Sequence, residues 1–147
     1  MSPASLAGQK AAVIGFAGYQ ELHLWYPVLR LRELGAEVTL AGAAGPEATT
    51  GSLRYPLLPN VAVADVDADG LALVVVPGGP GAAGAAASEA LTGFLAKAHA
   101  AGATIAAIGE GVTILDAAGV APGEARVYTA QDSDAIPALF RALTQER

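Results

Sequence analysis

The opening residues alternate between unbroken apolar runs and a stretch patterned at helical spacing. Gln9–Phe16 is apolar from Ala11 onward, the pattern of a parallel strand covered on both faces. Gln20–Leu34 sets Leu24, Val28 and Leu31 on one stripe and stops at Gly35, which predicts a helix with a glycine C-cap. Pro27 inside that stripe predicts a kink or a break into two shorter helices. Glu37–Ala41 predicts a second strand, so this region spells β-α-β, which demands a right-handed crossover and a parallel sheet. Gly42–Pro59 is rich in Gly, Pro and Thr, with room for one short strand around Leu53–Leu57. Leu71–Val76 is the most apolar segment and predicts the central strand, and Pro77–Gly84 a loop. Ser88 caps a predicted helix that runs to Ala101, and Ala103–Ile108 predicts another buried strand. A short helix over Glu110–Ala118, a last strand over Arg126–Thr129 and a final helix over Ala135–Glu146 complete the pattern. Strands alternating with helices predict an α/β fold: a doubly wound, mostly parallel sheet sandwiched by helices, forming one domain over residues 1–147.

Composition narrows the function classes. Of 147 residues, 53% are hydrophobic and 15% charged, which excludes a disordered chain. No apolar run approaches the roughly 20 residues of a membrane helix. Met1–Lys10 has no basic, apolar and small-residue series of the export type. The expectation is a soluble cytoplasmic protein with no membrane partner. A net charge of −6 with scattered Lys and Arg gives no basic surface for nucleic acid. There is no cysteine, so disulfides, thiolate metal sites and cysteine nucleophiles are excluded. Two histidines, His23 and His99, are too few for a zinc site without carboxylates; no metal or cofactor is expected.

In doubly wound sheets ligands bind beyond the carboxyl ends of the strands, at a topological switch point. Ala17–His23, Pro77–Gly84 and Gly109–Val112 fit that position. Ala106–Val112, AAIGEGV, has the layout of a nucleophile elbow, but its elbow residue is Gly109, which has no side chain. Glu110 opens the following helix, where a carboxylate either stabilises the dipole or serves as an acid–base group. Gly79–Gly84 matches GxGxxG but follows a middle strand and lacks the acidic residue downstream, which weakens a nucleotide-binding reading. Tyr19, Trp25 and Tyr26 cluster beside His23, as packing or as a pocket wall. Asp132 and Asp134 read as helix caps or as the pocket rim, and His99 as structural.

The chain resembles the ThiJ/PfpI superfamily. The resemblance is carried by GYQELHLWYPVLRLRELGAEV over Gly18–Val38 and by ADVDADGLALVVVPGG over Ala64–Gly79. AIGEGV over Ala107–Val112 and AQDSDA over Ala130–Ala135 continue it in family order and spacing. It implies a flavodoxin-like α/β sandwich, a pocket at the elbow and a homodimer. The family's cysteine corresponds to Gly109, the histidine after it to Glu110, and the glutamate that bonds the cysteine to His23. The chain is also short between Val120 and Arg126, where relatives carry an extra segment. Thiolate activities (protease, glyoxalase, deglycase) therefore do not carry over.

The resulting expectation is a cofactor-independent acid–base enzyme of hydratase, lyase or isomerase type acting on a small carbonyl-like ligand. Glu110 moves the proton and His23 orients or relays it. Gly78, Gly79, Gly109, Gly111 and Tyr19 bind substrate or oxyanion. The alternative is a non-catalytic pseudoenzyme serving as a small-molecule-binding or dimerisation module.

Overall fold

The structure, a computed structural model, describes residues 6–145. The first half of Met1–Lys10 and the Glu146 end of the last predicted helix lie outside the described residues. Six strands form one parallel sheet: β1 (Lys10–Gly15), β2 (Glu37–Gly42), β5 (Val61–Ala62), β6 (Leu73–Val76), β7 (Thr104–Ile108) and β8 (Val127–Ala130), in the order β5-β2-β1-β6-β7-β8. β1 lies at the centre, with Ala11 paired to Val38 on one side and to Leu73 on the other. Every residue of β6 and β7 is buried, which is why these strands read as continuous apolar runs.

From β1 the chain steps to β2 in one direction, and from β6 to β7 in the other. Right-handed crossovers then place the connecting helices on opposite faces of the sheet. Helix α1 (Glu21–Glu33) packs on β1 and β2 and meets α5 (Ile136–Gln145), Tyr26 and Phe140 stacking edge to face at 5.7 Å. Helices α2 (Ala82–Ala86), α3 (Glu89–Ala100) and α4 (Gly111–Ala118) pack on one another. The doubly wound fold is as the sequence predicts, and the reversal of winding sets the switch point between β1 and β6.

Three local expectations change. Helix α1 runs unbroken through Pro27, whose ring is buried; packing on the core outweighs one lost backbone hydrogen bond. The single strand expected around Leu53–Leu57 is instead a two-stranded antiparallel pair, β3 (Thr49–Thr50) with β4 (Pro56–Leu57). Its turn is shaped from outside: the Glu21 carboxylate accepts the N–H groups of Leu53 and Tyr55 at 3.0 and 3.1 Å, so those amides join no ladder. The second half of the Pro77–Gly84 loop is already helical as α2, where alanines supply high helix propensity.

Among the described residues no helix is long and apolar enough to cross a membrane, and no group of three or more His, Cys, Asp or Glu side chains is placed to hold a metal ion.

Candidate functional site

Three loops converge beyond the carboxyl ends of β1, β6 and β7. Backbone bonds join the first two: Gln20 N–H donates to the Gly78 carbonyl at 2.9 Å and Gly81 N–H to Gly18 at 3.0 Å. The approach is too close for side chains. A Cβ on Gly79 would stand 2.5 Å from the Gln20 nitrogen, and one on Gly78 2.5 Å from the Ile108 carbonyl oxygen. These glycines are thus required by contact between backbones, whatever else they do. Gly111, the first residue of α4, abuts the Val76 and Pro77 carbonyls in the same way.

The elbow residue Gly109 has φ +55°, a left-handed conformation. Its N–H donates to the Ala130 carbonyl at 2.8 Å, tying the elbow to the end of β8. A Cβ here would stand 3.1 Å from Cε1 of His23. The imidazole edge therefore crowds the point at which an elbow side chain would begin.

His23, 5% exposed, is carried on the first turn of α1. Its Nδ1 accepts the Gly78 N–H at 3.1 Å, which puts the proton of the neutral ring on Nε2. Burial pulls its pKa below the usual histidine value, and the carboxylates of Glu110 and Asp132 oppose that pull. Glu110 caps α4, and its Oε1 accepts the Gly79 N–H at 3.0 Å. Its own backbone N–H, then that of Gly79, hold its carboxyl below the ordinary range; burial opposes this, and His23 adds a smaller lowering. Glu110 is thus an anion and His23 a neutral base at pH 7. They influence each other through charge, each holding a separate amide of the Pro77-Gly78-Gly79 turn.

The remaining candidates separate. Tyr19 is fully buried, but its hydroxyl donates to the Tyr55 carbonyl at 3.1 Å and accepts from Trp25 Nε1 at 3.3 Å. Those bonds join it to the β3–β4 turn, and burial raises its pKa. Asp132 caps the 3-10 turn Ser133–Ala135, accepting the Ala135 N–H at 3.2 Å, and its charge acts on His23. Asp134 lies in the adjoining 3-10 turn, Ser133–Ala135. His99 bonds the Ala125 carbonyl at 3.1 Å, far along α3. Gly79 and Gly81 of the GxGxxG match pack against the loop after β1.

One residue escaped sequence reasoning. Glu21 is 6% exposed and gathers Ser52 Oγ, Leu53 N–H and Tyr55 N–H around one carboxylate. In sequence it looks like an ordinary acidic residue in a helix's first turn; its partners lie about thirty residues on.

With this geometry in view, comparisons with known proteins place the chain. The model of the DJ-1/PfpI family matches residues 9–136. Protein dj-1beta of Drosophila melanogaster is 36% identical over 117 residues, which is 79% of this chain and 63% of that protein. The Parkinson disease protein 7 homolog of Danio rerio is 35% identical over 120 residues, 80% of this chain and 64% of that protein. In both, the matched stretch falls just short of two thirds of the relative's length. The crystal structure of Drosophila melanogaster DJ-1beta superposes with a TM-score of 0.85 at 25% identity, covering 94% of this chain and 89% of that one. On the family match and on the agreement of fold, this chain belongs to the DJ-1/PfpI family.

Proposed function

We propose that this chain is a non-catalytic member of its family, a homodimer-forming module whose nucleophile pocket is closed from within. The observation carrying this reading is the state of the Pro77-Gly78-Gly79 turn. Its two amides, suited to an oxyanion, already donate to His23 Nδ1 and Glu110 Oε1. Preorganised donors stabilise a transition state only when they are free to meet developing charge. Acid–base strength is lacking too. The lone pair of His23 is committed to Gly78, and the lowered pKa of Glu110 makes it a weak base.

Self-association follows from the outer surface of α1 and the β3–β4 turn. Leu22 and Leu29, seven residues apart on one helix stripe, are 55% and 62% exposed. Glu21 pins the turn beside that helix, and the turn and its flank expose Leu53, Tyr55 and Leu58. An apolar surface of this kind fits the same surface on a second copy of the chain, and it must outweigh the repulsion between two chains of charge −6. Analytical ultracentrifugation of the wild type should give a dimer, and the Leu22→Glu/Leu53→Glu variant a monomer. A monomeric wild type would remove the dimer from this reading.

A second reading keeps one supporting observation. The carboxylates of Glu110 and Asp132 both bear on His23, an arrangement compatible with proton transfer in a hydratase, lyase or isomerase of small carbonyl compounds. The two readings part in one assay. NMR-monitored incubation with 2-oxoaldehydes and α,β-unsaturated aldehydes should give equal rates for wild type and Glu110→Gln. Turnover by the wild type that the substitution removes would establish the acid–base reading and overturn the non-catalytic one.

A further inference from the structure

Beside the closed elbow lies an open crevice at the carboxyl ends of β1 and β2. Its volume is about 410 Å³, within the range of small-molecule sites. Its walls are Phe16 and Ala17 after β1, Ala43 and Ala44 after β2, and Pro80 and Gly84 from the segment leading into and through α2. A second cavity of about 120 Å³ adjoins it, sharing Phe16, Ala17, Ala43 and Ala44. Neither cavity touches His23, Gly109 or Glu110, so this site stands or falls apart from the state of the elbow.

The lining sets the ligand class. No ionisable side chain borders the larger cavity, and the carboxylate of Glu47 borders the smaller one, so an anion is disfavoured. Phe16 is 5% exposed and supplies an aromatic wall. The one side-chain hydroxyl of the larger cavity, that of Ser88, is engaged with the Ala43 carbonyl at 3.3 Å and accepts the Leu91 N–H at 3.2 Å; Thr49 borders only the smaller cavity. What remains is apolar surface with a ring at its edge, next to the switch point where doubly wound sheets take ligands. The crevice exists because α2 is built of alanine and glycine. A Cβ placed on Gly84 meets nothing within 4 Å, so no side chain reaches across the strand ends.

We propose that this crevice binds a small, neutral, aromatic molecule. The test uses indole as the probe, titrated into the full chain and followed by amide NMR. Saturable shifts at Ala17, Ala44 and Gly84 are expected, with indole-3-carboxylate binding at least tenfold more weakly. Gly84→Leu, at a position with open space and no positive φ, should weaken indole binding at least tenfold. Ala44→Leu, an exposed residue on the opposite wall, should do the same and guards against a folding defect in either variant. Absence of saturable shifts, shifts confined to Leu53, Tyr55 and Leu58, equal binding of the carboxylate, or full affinity in both folded variants would overturn the proposal.

Discussion

Substituting Gly109→Ala tests whether His23 occupies the place of the family's nucleophile. Alanine at φ +55° incurs left-handed strain of about 1–2 kcal/mol, offset by roughly 0.4–1 kcal/mol from its stiffer unfolded chain. A second effect is specific to this site. The new Cβ at 3.1 Å pushes the imidazole by a few tenths of an ångström, against a ring held by the Gly78 N–H at 3.1 Å. Weakening that buried hydrogen bond costs about 0.5–1.5 kcal/mol. The control is Gly119→Ala, where φ is +77° and an added Cβ meets nothing within 4 Å. Gly119→Ala should therefore destabilise by about 1 kcal/mol, and Gly109→Ala by about 1.5–2.5 kcal/mol. At about 2–4 °C per kcal/mol for a domain near this size, the melting temperatures fall by roughly 3 °C and roughly 5–8 °C. Urea unfolding followed by the single tryptophan, Trp25, supplies the free energies, with an unchanged slope as the check on two-state behaviour. Equal losses in the two variants would refute the reasoning: the elbow would then have room for a side chain, and the pocket would not be filled by His23.

Two further outcomes follow from the same residues. The pKa of His23 is lower when folded than its unfolded value of about 6.5, so the unfolded chain binds more protons across this window. Its contribution is present above about pH 6.5 and lost as pH falls through the folded pKa. Urea midpoints of wild type should therefore drop more steeply between pH 7.5 and 5 than those of His23→Gln; parallel curves would show that His23 stays solvated. Glu21→Gln replaces a carboxylate that accepts from Ser52, Leu53 and Tyr55 with a group that can turn a donor toward donors. A loss of about 2–3 kcal/mol is expected, with faster hydrogen exchange at Leu53 and Tyr55; unchanged exchange would mean that the β3–β4 turn holds its shape without the clasp.

The amino-acid pattern by itself determined the buried strands, because burial on both faces requires runs such as Leu73–Val76 and Thr104–Ile108 to be apolar throughout, but it gave neither the strand order nor the two-residue edge strand Val61–Ala62. Helix ends were equally legible where local chemistry sets them: Ser88 accepts the Leu91 N–H at 3.2 Å, and Gly119 adopts the left-handed C-cap. The missing cysteine, and the glycine standing in its place, needed no structure either. Only the tertiary structure decided which side chain stands against Gly109. His23 and Gly109 are far apart in sequence, and their approach depends on how α1 and β7 sit across the switch point. Whether an amide of the Gly78–Gly79 turn is free is likewise a question of distance, and 3.0 and 3.1 Å answer it. The same limit hid Glu21, since a charge in a helix's first turn looks alike whether it faces water or clasps a turn thirty residues on. It also hid the crevice beside α2, because a segment of proline, glycine and alanine that reads as a loop does not announce the empty space its small side chains leave above the strand ends.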